Sequence, residues 1–129
     1  SADGGVRILD PVELETGMAQ LDSTDPLEIK NNHPVQRENI VFTNDAGNMF
    51  VGMWDSTAFE SEMRPFRFHE MVQLLEGQVT ITEGDGTVSS FSAGDSFFIP
   101  MGTVCSWHAT GYIRKLYSIL DPGAQSTTQ

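Results

Sequence analysis

EMVQLLEGQVTITEGDGTVSSFSAGDSFFIPMG, residues 70–102, is the stretch on which the fold reading turns. VTIT at 79–82 alternates apolar and polar side chains with period two, the pattern of a strand with one buried face. Gly84-Asp85-Gly86 and Ala93-Gly94-Asp95 cut the stretch into short runs, and both are turn signals. The same texture extends outward through ENIVFT (38–43), NMFVGMWDS (48–56), VCSWHA (104–109) and YIRKLYSIL (112–120). These runs are rich in β-branched and aromatic residues and separated by Asp45-Ala46-Gly47, Met101-Gly102 and Thr110-Gly111. Strands this short and evenly spaced predict an all-β chain built as a sandwich or small barrel.

Bulk composition narrows the function classes. A chain of 129 residues is the size of one domain, and its 39% hydrophobic content, with eight Phe and two Trp, can build an ordinary core. The net charge of −11, from 18 acidic against 7 basic side chains, repels phosphate backbones and anionic lipid, so neither nucleic acid nor membrane is expected as a partner. A single cysteine excludes an intramolecular disulfide, which fits a reducing compartment. No apolar stretch approaches the roughly twenty residues that span a bilayer. The opening SADGG has neither a basic nor an apolar signal region, and the expected location is cytoplasmic. Pro11, Pro26 and Pro34 mark residues 1–35 as an extended arm, with a short strand at VRIL (6–9) and a helical turn or two within PVELETGMAQL (11–21). Residues 36–122 form the barrel, and 123–129 read as a flexible polar tail.

Two spacings are more specific. Glu70 is followed, after six intervening residues, by Gly77, and Gly94 is followed by Pro100 and Gly102. In order and spacing they resemble the two motifs of the cupin superfamily, whose strands form a double-stranded β-helix, or jelly-roll barrel, with its pocket in the mouth. Gly77 and Gly94 fall where strands turn sharply, and Pro100 where no ladder N–H is needed. LLEG, IPMGTVCSW and IRKLY resemble, more narrowly, the small cupins grouped with (S)-ureidoglycine aminohydrolase and EutQ-like proteins, over roughly residues 50–120. The aminohydrolase of that group is a two-cupin metal enzyme, so its reaction does not carry over to one cupin without the ligands.

In metal-binding cupins the first motif supplies two His and a Glu, and the second supplies one His. By that resemblance the His positions here fall on Arg64 and Phe66, or on Met63 and Pro65, and Cys105 stands in the last. Glu70 and Cys105 are short of the three protein ligands of a catalytic zinc site, so no cofactor and no tightly bound metal is expected. On regular strands His69 and His108 face away from Glu70 and Cys105, and only a bulge would restore a Glu/Cys/His set.

The expected pocket comprises Glu70, Cys105 and Trp107, with Arg64 and Phe66 at its rim and Trp54 from a neighbouring strand. Strand parity also puts Arg64, Phe66, Phe68, Glu70 and Val72 on one face if the segment is regular. Glu70 has two readings: a general acid or base, or a buried carboxylate paired with Arg64, Arg67 or Arg114. Cys105 is either a nucleophile or, the expectation here, a space-filling thiol whose ionisation Glu70 would disfavour. Trp54 and Trp107 either stack against a planar ligand or fill the barrel. Arg114 and Lys115 face opposite ways, one toward the barrel's acids and one toward solvent, and His33 reads as surface. Met71, Gln73 and Leu75 on the outer face, together with the arm, point to a homodimer. A small molecule is thus the expected ligand, handled by metal-free acid–base chemistry at Glu70, by a non-catalytic metabolite-binding module, or by a metal enzyme with a non-standard Glu/Cys/His site.

Overall fold

Period-two burial runs along the strand His69–Glu76, where Glu70, Val72 and Leu74 are buried while Met71 and Gln73 are exposed. The structure, a computed structural model, describes residues 4–22, 28–31 and 33–124. Among these, the strands are β1 (Ala19–Gln20), β2 (Ile29–Asn31), β3 (Gln36–Thr43), β4 (Met49–Ser56), β5 (Phe59–Ser61), β6 (Arg64–Pro65), β7 (His69–Glu76), β8 (Gln78–Glu83), β9 (Val88–Ser92), β10 (Ser96–Ile99), β11 (Val104–Ala109) and β12 (Ile113–Leu120). They pair antiparallel in two sheets: β1-β3-β4-β12-β7-β10, and β2-β5-β11-β8-β9 with β6 joined to β11. The two sheets enclose one core, which includes Phe59, Val72, Leu74, Val79, Ile81, Trp107 and Ile113.

The long strands lie where the alternating pattern puts them. β5 and β6, three and two residues long, went unforeseen because segments so short carry no period. Gly77 alone joins β7, in the first sheet, to β8, in the second. Its φ is +83°, and a Cβ there would sit 2.2 Å from the Tyr112 carbonyl oxygen, so only glycine turns this corner.

The arm departs from its expected form in one place. VRIL at 6–9 forms no strand, and Val6 and Ile8 are exposed. The expected helical turn is α1 (Pro11–Glu15), opened by Asp10, whose carboxylate accepts from the Val12 N–H, and by Pro11 in the first turn. β1 and β2 then extend the two sheets, on β3 and β5 respectively. The expected tail lies outside the described residues beyond Ala124. Among the described residues no helix is long and apolar enough to cross a membrane.

An ion network ties α1 to the first sheet. Arg37 on β3 donates to both oxygens of Asp55 on β4 and reaches back to Glu15 at the end of α1. Arg114 on β12 joins Glu15 and Asp55 from the other side, and Tyr112 donates to Asp55 at 2.6 Å. Asp55 is buried, which works to raise its carboxyl pKa; the bonds from Arg37 and Tyr112 outweigh that and hold it below the usual carboxylate value.

Because the folded pKa of Asp55 is depressed, its stabilisation is full above about pH 4 and is lost as the pH falls through the folded value. Asp55→Asn leaves Arg37 and Arg114 facing each other, and is expected to cost about 3 kcal/mol at neutral pH. The check is the urea midpoint, which falls with an unchanged slope and loses the difference from the native chain in acid.

Candidate functional site

Every second side chain of β12 points into the barrel, and the register sets which ones meet. Ile113, Lys115 and Tyr117 are buried in turn, and Lys115 lies opposite Trp54 on β4 and Leu74 on β7. A lysine in this row needs a counter-charge. Glu70, directed inward from β7, supplies it: Nζ of Lys115 lies 2.6 Å from Oε2 of Glu70, and both side chains are under 10% exposed. The ammonium also sits 4.5 Å from the Trp54 ring centroid, 4.6 Å from Trp107 and 5.8 Å from Tyr117. Aromatic faces and a carboxylate together replace the water an ammonium loses on burial. Tyr117 turns its hydroxyl to Glu38, and burial first, then that carboxylate, pushes its pKa well up. Gly52 makes this approach possible, since a Cβ there would lie 2.9 Å from the Tyr117 hydroxyl.

Glu70 therefore pairs with Lys115, and none of the expected arginines reaches it. Arg64 is exposed and bonded to Glu28 at 2.9 Å, Arg67 is exposed, and Arg114 belongs to the outer network. The expectation that one of Arg114 and Lys115 faces solvent is likewise corrected: they point to opposite faces, and each meets carboxylates. The parity expected from Arg64 to Val72 holds for Phe66, Phe68, Glu70 and Val72, which turn toward the core, and fails at Arg64, because the chain leaves the strand between Pro65 and His69. Phe66 is buried there and stacks on Trp107 at 6.1 Å, filling the space beside it with a ring instead of a ligand imidazole.

Cys105 is buried, and its thiol pKa is pushed up to about 11, by burial and then by Glu83. Glu83 is its register partner on β8, so the carboxylate acting on Cys105 is Glu83 and not the expected Glu70. His69 is directed outward, accepting from the Met101 N–H at Nδ1 and stacking on Phe98, while His108 and His33 are exposed. Met71 and Gln73 are exposed and Leu75 is half-buried.

Among the described residues no three His, Cys, Asp or Glu side chains converge as a metal site would require. The donor set argues the same way: the Glu70 carboxylate faces a fixed ammonium, the Cys105 thiol is protonated at neutral pH, and no histidine turns inward. The residues present do not fit the metal of metallocupins.

Two cavities flank Cys105. The smaller, about 30 Å³, lies by Ser61, Arg64, Phe66 and Trp107. The indole N–H of Trp107 is buried with no partner among the described residues, and this space suits one water-sized acceptor. The larger cavity, about 280 Å³, opens between the inner faces of β8, β9 and β10, and includes Ile81, Glu83, Phe91, Phe97 and Ile99. Of the expected pocket residues, Arg64, Phe66, Cys105 and Trp107 line the smaller cavity, and only Cys105 reaches the larger. Glu70 and Trp54 line neither. Glu83, Phe91 and Phe97 went unseen, although the inward parity of Glu83 with Ile81 on β8 was the signal that could have found the first.

A family model described as EutQ-like cupin domain matches residues 43–117. A protein of unknown function from Pseudomonas syringae is 33% identical with a TM-score of 0.73, over 79% of this chain and 43% of that one. This chain thus spans under half the length of that relative. Clostridium difficile EutQ is 23% identical with a TM-score of 0.58, over 85% of this chain and 80% of that one. The polyketide cyclase RemF from Streptomyces resistomycificus is 17% identical with a TM-score of 0.63, over 88% of this chain and 82% of that one. The last two likenesses establish the fold alone. No functionally curated protein matches the chain.

Lys115→Met leaves Glu70 buried without its counter-charge and is expected to destabilise the chain by about 3–5 kcal/mol. The double variant Glu70→Gln/Lys115→Met recovers most of that loss, as guanidinium unfolding would register. Cys105 is expected to resist alkylation at pH 8 far more than free cysteine does, its rate climbing only toward pH 11.

Proposed function

This chain belongs to the EutQ-like cupin family, and from that premise we propose that it binds a small molecule in the cavity between β8, β9 and β10, without chemistry at Glu70 or Cys105. The observation that carries this reading is the 280 Å³ cavity itself, which has apolar walls, a few polar groups and no contribution from Glu70. Its size stands just below the usual lower bound of small-ligand pockets, about 300 Å³, and its lining is of the usual kind. The known members of the fold do varied things, so fold alone does not choose among reactions.

Acid–base catalysis at Glu70 is the weaker reading. A general base must lie within hydrogen-bond reach of the proton it takes, and Glu70 is 2% exposed and already bonded to Lys115. Nucleophilic attack by Cys105 is weaker still, because burial and Glu83 keep the thiol protonated. A binding module needs neither group to ionise or move. It needs a formed cavity, and the β8–β9–β10 wall provides one.

The test is a screen of small metabolites by thermal shift on the native chain and on Ser89→Phe, which fills the cavity from β9. A ligand that raises the native midpoint and loses its effect in Ser89→Phe is the expected result, since a binder stabilises in proportion to its saturation of the folded state. Binding that survives Ser89→Phe would overturn the site. Turnover of the bound compound that vanishes in a folded Glu70→Gln variant would restore the catalytic reading.

A further inference from the structure

Resting on that cavity as the binding site, we infer that its ligand is a small organic ammonium ion with a planar apolar body, held by the Glu83 carboxylate and the Phe91–Phe97 ring pair. Glu83 ends β8 with its side chain in the cavity wall. Its backbone is already satisfied, by Thr87 and by Gly86 across the turn. Its carboxylate has no ion pair or hydrogen bond among the described residues, and it is the one acid among the residues lining this cavity.

The rest of the wall is neutral. Ile81 and Ile99 are buried apolar side chains, and Phe91 and Phe97 stack face to face with centroids 4.1 Å apart, bridging the two sheets. The remaining polar lining is the hydroxyls of Ser89 and Thr103 and the Cys105 thiol, and Thr103 already donates to the Pro100 carbonyl. No Lys or Arg lines this cavity. Arg64 and Arg67 line the smaller cavity, which also borders Cys105. An anionic ligand would meet an uncompensated like charge, and a neutral one would leave the carboxylate dehydrated and unpaired. A cation resolves both, with ring faces adding cation–π attraction. The net charge of −11 also draws cations toward the opening.

The barrel already solves this recognition problem once within its own chain. Lys115, Glu70 and the rings of Trp54 and Trp107 form an ammonium, carboxylate and aromatic set, and Glu70 is the register partner of Ile99, which lines the cavity. The open cavity supplies the carboxylate and the rings and lacks the ammonium.

Three probes of matched shape separate the possibilities on the full chain at low ionic strength: benzylamine, which is an ammonium at neutral pH, benzyl alcohol and benzoate. Calorimetry gives the affinities, and ring-proton shifts of Phe91 and Phe97 give the location. Benzylammonium is expected to bind about tenfold tighter than benzyl alcohol, the size of a charge-assisted hydrogen bond, with benzoate weakest. Glu83→Gln removes the preference and leaves both probes bound equally, and Glu83→Lys turns it toward benzoate. Equal native affinity for amine and alcohol, or a preference that persists in Glu83→Gln, overturns the ammonium inference and leaves the cavity as a binding site. No shift at Phe91 and Phe97 with any probe overturns the cavity reading as well. The native comparison decides the matter even where a variant does not fold.

Discussion

A lysine ammonium inside a small β-barrel must be neutralised where it stands, and the interior of this chain is arranged around that demand. Lys115 projects from the middle of β12, the strand that pairs with both β4 and β7. Its carboxylate comes from β7 and its rings from β4, β11 and β12 itself, so four strands must be in register before the charge is compensated. A one-residue slip of β7 would swap Glu70 for Met71 and leave the ammonium alone among aromatics. A buried ion pair is a weak source of net stability, but it penalises wrong pairings strongly.

The outer face of the same sheet repeats the logic with opposite sign. There the buried charge is Asp55, on the strand residue next to Trp54, and the compensation is Arg37 and Arg114 from the two flanking strands. Glu15 joins both arginines, so the short helix α1 is held by charge while the apolar Val6, Ile8 and Val12 remain exposed. Two charge clusters on opposite faces of β4 and β12 thus fix one register twice. The net acidity of the chain is spread over the remainder of its surface.

Between these fixed elements and the edge strands β9 and β10, the packing is looser, and the larger cavity lies there. One of its walls is Cys105, a buried thiol whose ionisation burial and Glu83 disfavour. The charged group in the cavity wall is Glu83, the register partner of that cysteine on β8. The proposed binding cavity therefore lies away from Glu70, toward the β8–β9–β10 end of the barrel.

The sequence by itself determined the long strands and the family. The alternation in VTIT and the spacing of Glu70, Gly77, Gly94, Pro100 and Gly102 reflect local constraints, namely pleat parity and sharp turns, that a linear text records directly. It also determined that Cys105 and Trp107 face inward and that His69 and His108 do not, because those residues lie on regular strands. The partner of Glu70 was not legible. Lys115 is 45 residues away, and the sequence reading offered Arg64, Arg67 and Arg114 in its place. Arg64 misled because the two residues of β6 and the irregular stretch after them break the count on which parity depends. The location of the cavity was out of reach for the same kind of reason: it is a gap between two sheets, set by how Phe91 and Phe97 meet across them. Packing of that kind depends on contacts among strands far apart in the chain, and only the tertiary structure decides it.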